Sequence, residues 1–265
     1  MNRRFAFFFI LIPFFGHGQG NSVLPALVAT SSEHNELLAE AQISAFIQQL
    51  KSDKPASDIA LLKKVFQKTQ KIFLHQYASY PDFSEIFDSG RYDCLTATAL
   101  FSVILDELNF GYSIIETNYH IFLLVRTSKG PVLLETTDRF SGFVRDEKEI
   151  SKRIGAYRLA AIAVSTDKNT FRYSCDLYGE VNPDRLPGLL YYNQAVKAYN
   201  AGRLEKCGEL LSKAKSIYDT PRISEFSSLF LKSVLESTLD NSTKLRIIRQ
   251  FKGITPPKSP VLAAR

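Results

Sequence analysis

Hydrophobic positions along the chain change their spacing several times, and each change marks an element. From Leu37 to Leu50 the apolar residues Leu37, Leu38, Ala41, Ile43, Phe46, Ile47 and Leu50 form a helical stripe, with Ser31 or Ser32 placed to cap it and Lys51 near its end. Pro55-Ala56-Ser57 breaks the chain. A second stripe follows through Ile59, Leu62, Val65, Phe66, Ile72 and Phe73. Pro81 interrupts again, and Phe83 to Phe87 reads as a short helical turn. From Leu95 to Leu108 apolar residues fall on nearly every side, the pattern of a buried helix. Asn109-Phe110-Gly111 supplies its stop.

After this the period becomes that of strands. Tyr112–Thr117, His120–Arg126 and Pro131–Glu135 are rich in β-branched and large apolar residues, with Thr127-Ser128-Lys129-Gly130 as a hairpin turn. Leu159–Ser165 reads as a further strand and Tyr173–Pro187 as irregular. Beyond Pro187 the chain is helical again. Tyr191, Tyr192, Ala195, Tyr199, Gly202, Cys207, Leu211 and Ala214 match one tetratricopeptide-like unit, two helices crossing at small residues with Gly202 in the turn. Ser224–Leu235 and Lys244–Phe251 continue helically without matching that repeat.

The beginning of the chain reads differently. Arg3 and Arg4 precede an apolar run from Phe5 to Phe15, followed by Gly16-His17-Gly18, the pattern of a secretory signal peptide. The run is shorter than the roughly 20 residues that span a bilayer. The expected organisation is a signal peptide over 1–18, an N-terminal helical region over 19–81 that begins as a loose tail through residue 31, a core domain over 82–186, a helical region over 187–252 and a flexible tail over 253–265. The expected location is periplasmic or secreted, with no stable membrane span after cleavage.

The formal net charge of +6 changes this picture little. Basic residues alternate with acidic ones, and no dense basic run carries interleaved aromatics, so no nucleic-acid partner is expected. The three cysteines, Cys94, Cys175 and Cys207, are odd in number and lack metal-ligand spacing, so neither a metal nor another cofactor is expected. Cys175 could pair with Cys207 or stay free. Cys207 fits the small residue at a helix crossing.

Cys94 opens the buried helix after a glycine-containing loop, where free N–H groups and the helix dipole favour a thiolate. Of four histidines, His120 alone follows Cys94, and it opens a strand. A nucleophilic cysteine needs a base, and the base needs an orienting acid. A hairpin turn with an even number of residues puts Glu135 on the face of His120; a three-residue turn favours Asp138 instead. Both acids stand as candidates, Glu135 first.

Tyr92-Asp93-Cys94-Leu95-Thr96-Ala97, then Tyr119-His120-Ile121-Phe122, then Gly130-Pro131-Val132-Leu133-Leu134-Glu135-Thr136-Thr137, resembles the core of the transglutaminase-like superfamily. The resemblance covers roughly residues 84–145. It implies an α+β, papain-like fold, a buried helix against an antiparallel sheet, with Cys94, His120 and Glu135 as its triad. The family usually has Asp at the position of Glu135 and Pro at that of Thr136. The Cys94 N–H is one oxyanion donor, with Tyr92, Asn118 and Tyr119 as candidates for a second. Two functions follow. One is a cysteine hydrolase or acyl transferase acting on a peptide or cell-wall-like amide. The other is an inactive binding module whose C-terminal helices recruit a protein partner.

Overall fold

The computed structural model describes residues 22–32, 35–52, 55–117, 120–163 and 178–252, with side chains of 159–163 excepted. The expected signal peptide and C-terminal tail lie outside them. Among the described residues, no helix is long and apolar enough to cross a membrane.

Its centre is helix α5, Cys94–Glu107, the fifth helix after α1 (Leu24–Val28), α2 (Glu36–Ser52), α3 (Asp58–Ile72) and α4 (Glu85–Asp88). Leu100, Phe101, Ile104 and Leu105 of α5 are wholly buried. The helix ends in a left-handed Asn109 (φ 57°), with the Phe110 N–H on the Leu105 carbonyl and the Asn109 N–H on that of Asp106. This is a Schellman arrangement, and asparagine tolerates the left-handed position better than most residues with a Cβ.

Helix α5 packs on a five-stranded antiparallel sheet in the order β6-β5-β4-β3-β7. The strands are β3 (Tyr112–Thr117), β4 (Ile121–Thr127), β5 (Gly130–Leu134), β6 (Phe143–Val144) and β7 (Tyr178–Val181). Ile114, Ile121, Leu123, Val125, Val132 and Leu134 join the α5 side of the core. Ile115, Phe122, Leu133 and Val144 form a second cluster with Ile150, Ile154 and Tyr157 of α6, Glu147–Ala163. Both faces are therefore covered, which explains why these strands read as almost continuous apolar runs. The chain is of mixed α+β class. A two-stranded parallel ribbon, β1 (Gln76–Tyr77) with β2 (Arg91–Tyr92), leads into α5.

Four helices follow: α7 (Leu186–Asn200), α8 (Leu204–Ile217), α9 (Pro221–Glu236) and α10 (Asn241–Phe251). Helices α7 and α8 form a closely packed hairpin that turns at Gly202 (φ 70°). Gly208 lets α8 approach its neighbours: a Cβ there would lie 2.9 Å from Phe230 and 3.5 Å from Ile247. Cys207 beside it is a free, fully buried thiol, and Cys175 lies outside the described residues.

Several expectations are corrected. Of the expected strand Leu159–Ser165, the described part, 159–163, is helical: α6 runs through Ala163, because Ile150, Ile154 and Tyr157 recur at helical spacing and cover the outer sheet face, while Val164 and Ser165 lie outside the described residues. Part of the stretch read as irregular, Tyr178–Val181, is the edge strand beside β3. The segment read as a loose tail contains α1, whose Leu24, Leu27 and Val28 are buried. Ser31 and Ser32 do not cap α2. They bond to the 82–84 loop instead, Ser31 Oγ accepting from the Ser84 N–H at 3.0 Å, while Asn35 Oδ1 accepts from the Leu38 N–H. Leu37, placed on the apolar stripe, is 79% exposed.

The C-terminal helices are tied to the sheet by a buried ion pair. Arg222 of α9 lies 3.0 Å from Glu116 of β3, which also accepts from the Tyr218 hydroxyl at 3.2 Å. Burial pushes the Glu116 carboxyl up, and Arg222 and Tyr218 only partly oppose it. Removing one partner leaves an uncompensated charge, which costs more than removing both. Arg222→Ala is expected to destabilise the fold by about 3–5 kcal/mol in denaturant titration, and Glu116→Leu with Arg222→Met to recover most of that loss.

Candidate active site

Asp93 starts α5. Its carboxylate accepts from the Thr96 N–H at 2.8 Å, and the Thr96 hydroxyl accepts from the Asp93 N–H at 2.9 Å, a reciprocal capping box. The other carboxylate oxygen accepts from Asn193 Nδ2 of α7 at 3.3 Å. Cys94 is thus fixed as the first helical residue. The N–H of Ile121 lies on its side of the sheet and favours its ionised form. That N–H is available because the β4–β5 ladder ends at the Leu123–Leu134 pair, while His120 directs its own N–H and C=O toward Thr117 of β3.

The thiol is not the thiolate that the helix dipole alone would favour. Burial, then the charges of Asp93 and Glu135, push Cys94 up to about 12, against the opposing N–H groups of Ile121 and Leu95. Two nearby carboxylates and poor solvation outweigh partial charges at the helix start. A Cys94 nucleophile would therefore have to lose its proton to a base during the reaction.

His120 and Glu135 are in direct contact, Nε2 to Oε2 at 2.5 Å. The register explains it. Thr127 pairs with Gly130, so the hairpin turn holds two residues, Ser128 and Lys129. Continuing that register sets Phe122 opposite Glu135, with His120 as its diagonal neighbour on the same face. Glu135 is only 5% exposed, yet every nearby donor is directed at it. The Tyr157 hydroxyl donates to Oε2 at 2.9 Å and the Thr137 hydroxyl to Oε1 at 2.8 Å. Burial would raise this carboxyl; hydrogen bonds and charge from His120, with Thr137 and Tyr157, reverse the balance and hold it below the usual carboxylate range. The imidazole joins an aromatic cluster, its ring 4.7 Å from that of Tyr157 and 6.1 Å from that of Phe122, which are themselves 5.3 Å apart.

Asp138 is elsewhere. It accepts from the N–H groups of Phe140 (3.2 Å) and Ser141 (2.8 Å) and faces Arg153 at 3.6 Å, holding the turn that follows Glu135. The charge of Glu135 opposes ionisation of Cys94. Among the described residues, no hydrogen bond joins the Cys94 thiol to the His120 ring, whose Nδ1 is the nitrogen not committed to Glu135. Tyr92 is buried, edge-on to Tyr77 with ring centroids 6.0 Å apart. Asn118 and Tyr119 lie outside the described residues. Among the described residues, no cluster of His, Cys, Asp or Glu is arranged to hold a metal ion.

Sequence reasoning missed Tyr157, Thr137 and Asn193. Tyr157 carried a signal, its helical spacing from Ile150 and Ile154. Thr137 is the position opposite His120 in the two-residue-turn register. Asn193 comes from a distant helix and carried none.

Two outcomes are expected. Cys94 in the folded protein should react with iodoacetamide more slowly at about pH 7 than a free thiol, with the rate still climbing above pH 9; rapid labelling below pH 7 would contradict a raised pKa. Because the fold raises this pKa above its unfolded value of 9.0, the associated stabilisation is present below pH 9 and is lost as pH rises toward 12. Tyr157→Phe removes one donor that keeps Glu135 low. Its carboxyl should rise toward its unfolded value, so the acid-side fall of Tm should be smaller and complete at higher pH than in the parent, with a loss of about 1 kcal/mol at neutral pH. Comparison with known protein families, with curated proteins and with solved structures finds no match for this chain, so the chemistry of the site rests on its geometry.

Proposed function

We propose that this chain is an exported cysteine hydrolase or acyl transferase of transglutaminase-like, papain-like design, acting on a peptide or cell-wall-like amide. The observation that carries the reading is the 2.5 Å contact between His120 and Glu135 beside a cysteine that opens a buried helix. Cys94 Sγ attacks the amide carbonyl while His120 Nδ1 takes the thiol proton. Glu135 holds the ring and stabilises the imidazolium that forms. The Cys94 N–H, at the positive end of α5, donates to the developing oxyanion. His120 then protonates the departing amine, leaving a thioester that water or a second amine resolves. A thiol pushed up to about 12 fits general-base activation during attack rather than a standing thiolate–imidazolium pair.

That same raised pKa favours a second reading, a binding module in which Cys94 stays protonated and the C-terminal helices meet a protein partner. Turnover of peptidyl amides separates the two. Cys94→Ala and His120→Ala are expected to abolish it, and Glu135→Gln to lower kcat by about 10²–10⁴. Asp138→Asn should keep kcat within about tenfold of the parent, since it acts on the turn and not on the ring. Turnover that survives Cys94→Ala sinks the hydrolase reading.

A further inference from the structure

Over most of the chain Lys and Arg alternate with Asp and Glu, but residues 241–265 carry six of the former and none of the latter. The six are Lys244, Arg246, Arg249, Lys252, Lys258 and Arg265. This segment alone accounts for the formal net charge of +6, and residues 1–240 are balanced. Four of the six lie on α10 or at its C-cap, whereas Lys258 and Arg265 lie outside the described residues.

Helix α10 is held on one side and bare on the other. Asp240 caps it, accepting from the Thr243 N–H at 3.0 Å. Ile247 is buried in the core of the C-terminal helices. Arg246 pairs with Glu205 of α8, and Lys244 Nζ donates to the Leu235 carbonyl of α9 at 2.8 Å. On the bare side Leu245, Arg249 and Lys252 recur at i, i+4 and i+7, which makes one exposed stripe. Among the described residues, no ion pair joins Arg249 or Lys252 to a carboxylate, Glu205 being taken by Arg246.

The same corner exposes leucine. Leu235 at the end of α9 is 61% exposed, Leu239 in the turn 37%, and Leu245 on α10 52%. These are three of the seven large apolar side chains exposed among the described residues. The other four, Leu37, Ile72, Tyr77 and Phe140, are scattered from α2 to the turn after Glu135. The bond from Lys244 to the Leu235 carbonyl closes the corner, so the three leucines and the cations of α10 share one end of the molecule. Cations alone would suit any polyanion, and leucines alone any apolar face. An anionic bilayer takes both: headgroup phosphates meet the cations, and leucines enter the acyl boundary beneath them. A nucleic acid or a soluble polyanion offers phosphate or sulfate charge and gives exposed leucine nothing to enter.

We propose that the corner of α9 and α10 docks this protein on an anionic phospholipid bilayer, with Leu235, Leu239 and Leu245 entering the interface and Arg249 and Lys252 on the headgroup phosphates. The attachment is peripheral, since the 11 residues of α10 are about half of what a span requires. It goes beyond the hydrolase reading and does not depend on it, because none of these residues belongs to the Cys94–His120–Glu135 site.

Vesicle cosedimentation tests it on the full chain. Vesicles of phosphatidylcholine with about 30 mol% phosphatidylglycerol should bind at least about tenfold more tightly than phosphatidylcholine alone, with the margin shrinking at about 0.5 M salt. Arg249→Gln with Lys252→Gln should weaken binding to the anionic vesicles at least about tenfold. Leu235→Ser with Leu245→Ser should weaken it about tenfold as well, yet leave retention on heparin, a polyanion with no apolar phase, unchanged. All four side chains are exposed, so the Tm of each variant should match that of the parent. Equal binding to neutral and anionic vesicles, or no binding to either, overturns the proposal. So does binding that both double variants leave unchanged, as insertion of Phe5–Phe15 would give. Vesicle binding that depends on Arg249 and Lys252 but not on the leucines assigns the corner to a soluble polyanion and overturns the bilayer. A parent dimer that the leucine variant splits, without loss of vesicle binding, assigns the corner to a second copy of the chain and overturns it as well.

Discussion

Everything else in this molecule depends on the complete burial of helix α5. Its middle turns touch no solvent, so their position is set by neighbours on all sides: α2 and α3 on one flank, α7 on another, and β4 beneath. A helix enclosed this way cannot shift by one residue without driving large side chains into occupied space. Its first residue, Cys94, is therefore located as firmly as its core. The capping box on Asp93 sets the axial position. The placement of the Cys94 sulfur at the strand end is thus a by-product of packing that occurs a turn or more away from it.

Burial on this scale forces the question of what becomes of buried charge. Three carboxylates sit in or near the site, and they differ in outcome. Asp93 is driven up by burial despite the Thr96 bonds and Asn193. Glu116 is driven up despite a guanidinium at 3.0 Å. Glu135 alone is held low, because an imidazole and two hydroxyls are directed at it. The difference lies in the His120 ring, whose hydrogen bond and charge are the largest contributions against burial at Glu135, since Asp93 collects at least as many donors. It has a chemical consequence. A carboxylate that stays ionised can orient and stabilise a cationic ring, whereas its charge and that of Asp93 oppose ionisation of the thiol. The same arrangement that prepares His120 as a base keeps Cys94 protonated.

How much of this was legible in the sequence differs by element. Helix α5, the β3–β4–β5 hairpins and the α7–α8 hairpin stood out because each has one strong period and clear punctuation: Asp93 before α5, Asn109 after it, Gly130 and Gly202 at the turns. The even turn even carried the parity that sets Glu135 diagonal to His120. What failed was α6. Among its described side chains, Ile150, Ile154 and Tyr157 make a narrow apolar face, and a run of small and apolar residues near its end imitates a strand. Strand β7 was missed because Tyr178-Gly179-Glu180-Val181 has little β character of its own; pairing with β3 makes it a strand. The state of the Cys94 thiol was unreadable for a different reason. The helix dipole is a local property visible in sequence, but desolvation and a carboxylate 41 residues further along the chain are tertiary.

The C-terminal helices belong in this account as part of the site's frame. Asn193 bonds the carboxylate of the residue before Cys94. Its neighbour Gln194 donates to the carbonyls of Tyr80 and Pro81, at 3.4 Å and 3.0 Å. Tyr80 needs that support, because its φ of 53° is uncommon for a bulky residue and persists only where surroundings impose it. On the other side of the site, Arg222 donates to the carbonyl of Thr117, three residues before His120. One helical unit thus holds the approach to Cys94 at one end and the approach to His120 at the other. The sheet ties His120 to Thr117, but the β1–β2 ladder ends at Tyr92, short of Cys94. The relative placement of Cys94 and His120 consequently depends on α7 and α9 as well as on the sheet, and a unit that looked like an appended repeat spans the strand ends where the candidate site sits.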